Sequence, residues 1–158
     1  MTAQRHLTAI FCDDIRREEG NKLSYMGVYG GNLLVPSFPQ VLPKLCIAIK
    51  MTTSPSPPGQ LIFRLLKDDE VIAEREIPSN VLAGMPSAES DSLEIPMHIV
   101  ATVFQLFPLD LTGPCKFRAR ATCDGEEFKG GSLIVDQLPP NFQMSGSIVV
   151  PTIPPSVS

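Results

Sequence analysis

The sequence predicts an all-β protein, a sandwich or barrel of about eight strands, and three observations carry that expectation. Almost every apolar run alternates with polar residues at period two, turn residues separate the runs at short intervals, and no segment has helical periodicity. The 16 prolines agree, because proline terminates helices and is confined to the edges, bulges and loops of sheets.

The clearest strand is Cys115–Cys123. There Cys115, Phe117, Ala119, Ala121 and Cys123 alternate with Lys116, Arg118, Arg120 and Thr122, the pattern of a strand with one buried face. Leu45, Ile47, Ile49 and Met51 alternate with Cys46, Ala48 and Lys50. Leu61, Phe63 and Leu65 alternate with Ile62, Arg64 and Leu66, and this second run is expected nearer the centre of a sheet. Lys67-Asp68-Asp69-Glu70 and Asp124-Gly125 read as hairpin turns, the glycine supplying a positive φ without steric cost. The expected strands lie near 6–12, 22–29, 43–51, 60–66, 70–77, 95–106, 115–123 and 127–135. Thr52–Gly59 reads as a stiff Pro-Ser loop, and Pro78–Pro96 as a long connection suited to crossing between sheets.

A chain of 158 residues is long enough for one self-sufficient core. The expected division is a β-sandwich domain over 1–137 and a Pro-rich tail over 138–158, which encloses one β-prone run, Ser147–Val150, suited to a sheet edge. With 43% hydrophobic and 19% charged residues the composition is globular, not disordered. The net charge of -4 gives no electrostatic reason to bind a phosphate backbone, so nucleic acid is not an expected partner. Nor is a membrane expected. The most apolar stretch, Met97–Leu111, is broken by Thr102, Gln105, Pro108 and Asp110. The apolar run after Arg5 and His6 is too short for a signal peptide. Cys12, Cys46, Cys115 and Cys123 form no C-x-x-C pair, and three lie in apolar alternating runs. They read as free core thiols in a reducing cytoplasm.

Two regions resemble a group of small uncharacterised bacterial and bacteriophage proteins. The first comprises Phe11-Cys12-Asp13-Asp14-Ile15-Arg16, then Lys22-Leu23-Ser24-Tyr25-Met26-Gly27-Val28-Tyr29-Gly30-Gly31, then Leu34-Val35-Pro36-Ser37-Phe38-Pro39. The second is Phe107–Val135, with its Asp-Gly turn and closing Leu-Ile-Val strand. The resemblance implies an immunoglobulin-like antiparallel β-sandwich and brings no established activity or catalytic residues.

Carboxylates gather in the expected turns: Asp13 and Asp14 with Glu18 and Glu19, Asp68 with Asp69, and Asp124 with Glu126. Sandwich loops of this kind can converge on calcium, which takes 6–8 oxygen ligands. Asp13, Asp14, Asp68, Asp69 and Asp124 are therefore the metal candidates. Their spacing matches no calcium loop, and Arg16 and Arg17 lie beside the first cluster as counterions. The favoured reading has Asp13 or Asp14 ordering its turn through nearby backbone amides.

Nucleophilic catalysis needs a histidine beside a Ser or Cys, and the only histidines are His6, near the terminus, and His98, on an expected strand. Both are expected at the surface or half-buried. With no G-x-S-x-G, P-loop, G-x-G-x-x-G or H-E-x-x-H pattern, neither an enzyme nor a cofactor is expected. Tyr29-Gly30-Gly31-Asn32 reads as a turn. Lys116, Arg118 and Arg120 line one strand face, which Lys50 and Arg64 extend only if their strands are neighbours, and no aromatic residue interleaves with them. The expected function is a non-catalytic protein-interaction or structural module of a bacterial or phage system. It would contact another protein, or self-associate into a homo-oligomer, through Ile148, Val149 and Val150 of the tail and through Arg118 and Arg120. The alternative is a ligand- or calcium-binding domain using the acidic loops.

Overall fold

A computed structural model of the protein describes residues 3–89 and 95–140. Over them the chain is all-β. In chain order the strands are β1 (Gln4–Arg17), β2 (Leu23–Val28), β3 (Asn32–Val35), β4 (Gln40–Leu42), β5 (Leu45–Ser54) and β6 (Leu61–Lys67). After β7 (Glu70–Ile77) and a short helix α1 (Ser79–Ala83) come β8 (Ala88–Glu89), β9 (Pro96–Leu106), β10 (Leu109–Leu111), β11 (Cys115–Cys123) and β12 (Glu126–Gln137). One five-stranded sheet has the order β2-β1-β5-β9-β8 and the other β3-β12-β11-β6-β7, while β4 and β10 form a separate ladder. Neither sheet closes into a barrel.

The alternation read from the sequence sets which side chains turn inward. Leu7 and Phe11 of β1, Ile47, Ile49 and Met51 of β5, and Val100 and Phe104 of β9 come from the first sheet. They share one apolar core with Phe63 and Leu65 of β6, Phe117 and Ala119 of β11, and Leu133 and Val135 of β12. Burying each large side chain of this kind contributes about 1.5–3 kcal/mol. Across the core, β12 approaches β1 at a bulge. The register with β11 shifts between Ala119 and Arg120, and a Cβ on Gly130 would come within 3.0 Å of Leu7. Glycine suits the position because a larger residue would push the Leu7 side chain aside.

All eight expected strands coincide with β1, β2, β5, β6, β7, β9, β11 and β12. Four short strands and the helix were not expected. Strands of two to four residues show at most one or two alternations, and the prolines flanking β3, β4 and β10 disguise them as loops. The five-residue helix spans little more than one turn, so no period can show; it sets Leu82 into the core within the connection that carries the chain from one sheet to the other.

Three expectations need correction. The pairing is not purely antiparallel, because β3 lies parallel to β12. The most central run is not Leu61–Leu66: β5 is the middle strand of its sheet, whereas β6 is next to an edge. His98 is buried, not exposed, since β9 turns His98, Val100, Thr102 and Phe104 inward and leaves Ile99 43% exposed. The run Met97–Leu106 is apolar on both faces, so a period of two could not choose between them. Ile148, Val149 and Val150 lie outside the described residues.

All four cysteines are buried and free. Burial, with the neighbouring Cys46 thiol adding to it, pushes Cys12 up to about 11, and burial raises Cys46, Cys115 and Cys123 as well.

Two predictions follow from the core. Phe117→Ala should cost ~3–5 kcal/mol, whereas Arg118→Ala, which loses a pair to the almost fully exposed Asp69, should cost under about 1 kcal/mol in urea titrations. Equal losses would mean the strand register is wrong. The native protein should also react slowly with Ellman's reagent at pH 8 and release four equivalents promptly once unfolded, because a buried thiol held neutral is not a nucleophile.

Candidate functional site

The carboxylates expected at the turns serve as clasps. β1 changes partner at Cys12, which pairs with Cys46 of β5 on one side and Val28 of β2 on the other. Just beyond, Asp13 accepts a hydrogen bond from the Tyr29 hydroxyl. Gly27, at a φ of +65, leaves room for that carboxylate, which any Cβ would strike. Burial, reinforced by Asp13, raises the Tyr29 phenol above its ordinary range. Asp14 accepts from Lys44 Nζ at 2.7 Å and from the Ile15 amide at 3.0 Å. The hydrogen bond from Lys44 holds the Asp14 carboxyl below the usual carboxylate value. Backbone amides thus supply only part of the ordering expected of this pair; side chains supply the rest.

The other clasps sit at opposite ends of β6. Asp68 donates its N–H to the Lys116 carbonyl at 2.7 Å and accepts the Lys116 amide at 3.0 Å, while Asp69 pairs with Arg118 at 3.1 Å. Asp124 accepts from the amides of Gly59 at 2.9 Å and Gln60 at 2.8 Å and from the Arg5 guanidinium at 2.6 Å. The length of β6, roughly 20 Å at ~3.3 Å per residue, separates Asp68 and Asp69 from Asp124. The five metal candidates therefore do not converge. Among the described residues no three His, Cys, Asp or Glu side chains are grouped to hold a metal ion.

The basic residues lie on the outer face of the second sheet. Arg64 stands directly opposite Arg120 and so extends the row, whereas Lys50 belongs to the other sheet. Carboxylates interleave with this row: Arg64 pairs with Glu74 at 2.9 Å and Arg118 with Asp69, while Arg120 donates to the Ala119 carbonyl at 2.9 Å. His6 is exposed on the first sheet. His98 stands beside its register partner Thr53, both buried, with Nδ1 of one and Oγ1 of the other lacking a hydrogen-bond partner among the described residues.

Periodicity did not reveal the outer face of the first sheet. Register places Thr8, Lys50 and Ala101 in one row across β1, β5 and β9, and Ile10, Ala48 and Val103 in the next. The arm formed by the far ends of β1 and β2 brings Arg17, Leu23 and Tyr25 to these rows, and Arg75 of β7 arrives from a third side. Together they line a cleft of about 490 Å³. The Arg75 guanidinium is held at the rim, against the core-facing side of β9, by a hydrogen bond to Thr102 Oγ1 at 2.8 Å and by its position 5.7 Å from the centre of the Phe104 ring.

Beside the cleft runs an open edge. β8 pairs only with Pro96 and Met97, so from His98 to Leu106 the outer side of β9 has no strand partner among the described residues. That stretch, HIVATVFQL, contains no Pro, Lys, Arg, Asp or Glu, the residues that usually protect a sheet edge. No signal in the sequence marked this edge, since side-chain pattern reports on the faces of a strand and not on its main-chain partners.

The Asp14–Lys44 clasp makes a pH prediction. The folded-state value of Asp14 lies below its unfolded value of ~3.9, so the stability it contributes is complete above that pH and is lost as pH falls through the depressed folded value. Carboxyl carbon shifts should show Asp14 titrating below the ordinary range in the native protein, and Lys44→Gln should move it back up. No change in the variant would break the assignment.

No curated protein matches the sequence. The model of a family of unknown function (DUF6941) matches residues 7–136. That span runs from β1 through all but the last residue of β12 and takes in the clasped Asp13, Asp14, Asp68, Asp69 and Asp124, the open edge of β9 and every residue that lines the cleft. By that match the chain belongs to the DUF6941 family.

Proposed function

We propose that the chain is a non-catalytic interaction module, an immunoglobulin-like sandwich of a bacterial or phage system, that self-associates by strand addition on the open edge of β9. The observation that carries this reading is the long, neutral edge from His98 to Leu106, which has no strand partner among the described residues. In strand addition the main chain supplies the hydrogen bonds, and alternate side chains discriminate between partners. The absence of charge between His98 and Leu106 favours a second copy, because two such edges related by a two-fold axis oppose no like charges. The tail run Ile148-Val149-Val150 of a neighbour is the other strand available within the same assembly.

Several features support the rest of the reading. Two largely antiparallel sheets with a shared core suit a sandwich, and the FCDDIR-type motif is what the resemblance to bacterial and phage proteins rests on. Four free buried thiols suit a reducing cytoplasm. The calcium alternative has less support, since Asp13, Asp14, Asp68, Asp69 and Asp124 all have protein donors.

The test is the solution mass of the double variant Ile99→Lys/Gln105→Lys, which places charge along the edge at side chains that lie outside both the core and the cleft. Light scattering should give the wild type a mass above the 17.2 kDa of one chain, and the double variant should fall to that mass with an unchanged circular dichroism spectrum. A wild type that is monomeric at every concentration, or a variant that keeps the wild-type mass, would overturn edge pairing. Truncation after Pro140 separates the two strand sources: loss of mass assigns the inserted strand to the tail, and retention assigns it to β9.

A further inference from the structure

We propose that the cleft between the β1–β2 arm and the outer face of the first sheet binds a small amphipathic carboxylate, its apolar body on the sheet and its anionic head among the cations. The inference does not rest on edge pairing: the cleft presents side chains over the sheet face, whereas the edge presents main chain in the sheet plane.

Charge is the first argument. Arg17, Lys50 and Arg75 line the cleft and no Asp or Glu does, in a chain whose net charge is -4. The three cleft cations have no ion-pair partner among the described residues; Lys22, Lys67, Lys116, Arg120 and Lys129 share that property, so what distinguishes the cleft is that three cations meet there with no carboxylate in its lining. Three cations that share a partly enclosed space with no carboxylate favour an anion, the more so where the walls displace water.

Shape is the second argument. The row Ile10-Ala48-Val103 is an apolar floor, and the small side chains of Ala48 and Ala101 keep it open. A volume of about 490 Å³ falls within the ~300–1,000 Å³ of sites that hold small molecules. Arg75 adds its charge from the rim, where its guanidinium is bonded to the core-facing Thr102, so the cation on the floor itself is Lys50. Lys50 lies in the middle of its row, between Thr8 and Ala101, so a head group bound there has an apolar row directly beside it.

The experiment titrates the protein with decanoate, decanol and acetate below micellar concentrations, by calorimetry and by amide shifts. Decanoate should bind saturably at one site, about tenfold or more tighter than decanol, with acetate weaker than both. Shifts should centre on Thr8, Ala48 and Ala101. Lys50→Gln should weaken decanoate several-fold and leave decanol unchanged, whereas Ala101→Leu, which fills the floor, should weaken both; circular dichroism checks that each variant is folded. Equal affinity for decanoate and decanol, shifts centred away from these rows, or no saturable binding would overturn the proposal. Ile99→Lys/Gln105→Lys should leave decanoate binding intact, so the failure of edge pairing and the failure of this site are separately readable.

Discussion

The geometry of the cleft depends on the point where β1 changes partner. Up to Cys12 the strand is held by β5, and beyond it only β2 accompanies it. A two-stranded ribbon is marginal by itself, so the arm needs an anchor where it leaves the sheet. Asp13 and Asp14 provide it in opposite directions, one to Tyr29 at the end of the returning strand and the other to Lys44 just before β5. Gly27 permits the arrangement by leaving the space that the Asp13 carboxylate occupies. The arm then carries Arg17 and Tyr25 to the sheet, where they become two of the walls of the cleft.

The same chemistry recurs where loops must be tied to strands. A carboxylate that accepts two amides and a guanidinium, as Asp124 does, fixes three chain segments with one side chain. Asp68 and Asp124 both adopt positive φ, a conformation that aspartate tolerates better than most residues because its short polar side chain bonds locally. These acidic turns would suit a cation only if several of them met. The topology instead places each beside its own donors.

The two outer sheet faces differ in what they ask of a neighbour. On the second sheet, Arg64 pairs across strands with Glu74 and Arg118 pairs with Asp69 of the β6–β7 turn, so carboxylates stand among the cations of that face. On the first sheet the rows are neutral apart from Lys50, and the adjoining edge of β9 lacks the charges and prolines that discourage association. Edge and cleft share Ala101 and Val103, so an interacting strand and a bound small molecule would sit side by side on one element.

The sequence by itself determined the all-β class, the eight longer strands and the inward set Cys115, Phe117, Ala119, Ala121 and Cys123, the last because alternation over nine residues leaves one arrangement that buries the apolar face. It also marked the turns at Asp68 and Asp124, whose residue types are limited by backbone conformation. Only the tertiary structure decided that β3 runs parallel to β12, that β9 buries His98 instead of Ile99, and that five scattered carboxylates hold donors from distant segments. The reason is physical. Local pattern records which faces of a strand are apolar, while the choice of neighbour depends on contacts between residues far apart in the chain, such as Leu7 with Gly130 or Arg75 with Thr102. A cleft made by an arm, a sheet face and an edge strand leaves no period in any one of them, and so it became visible only once all three were assembled.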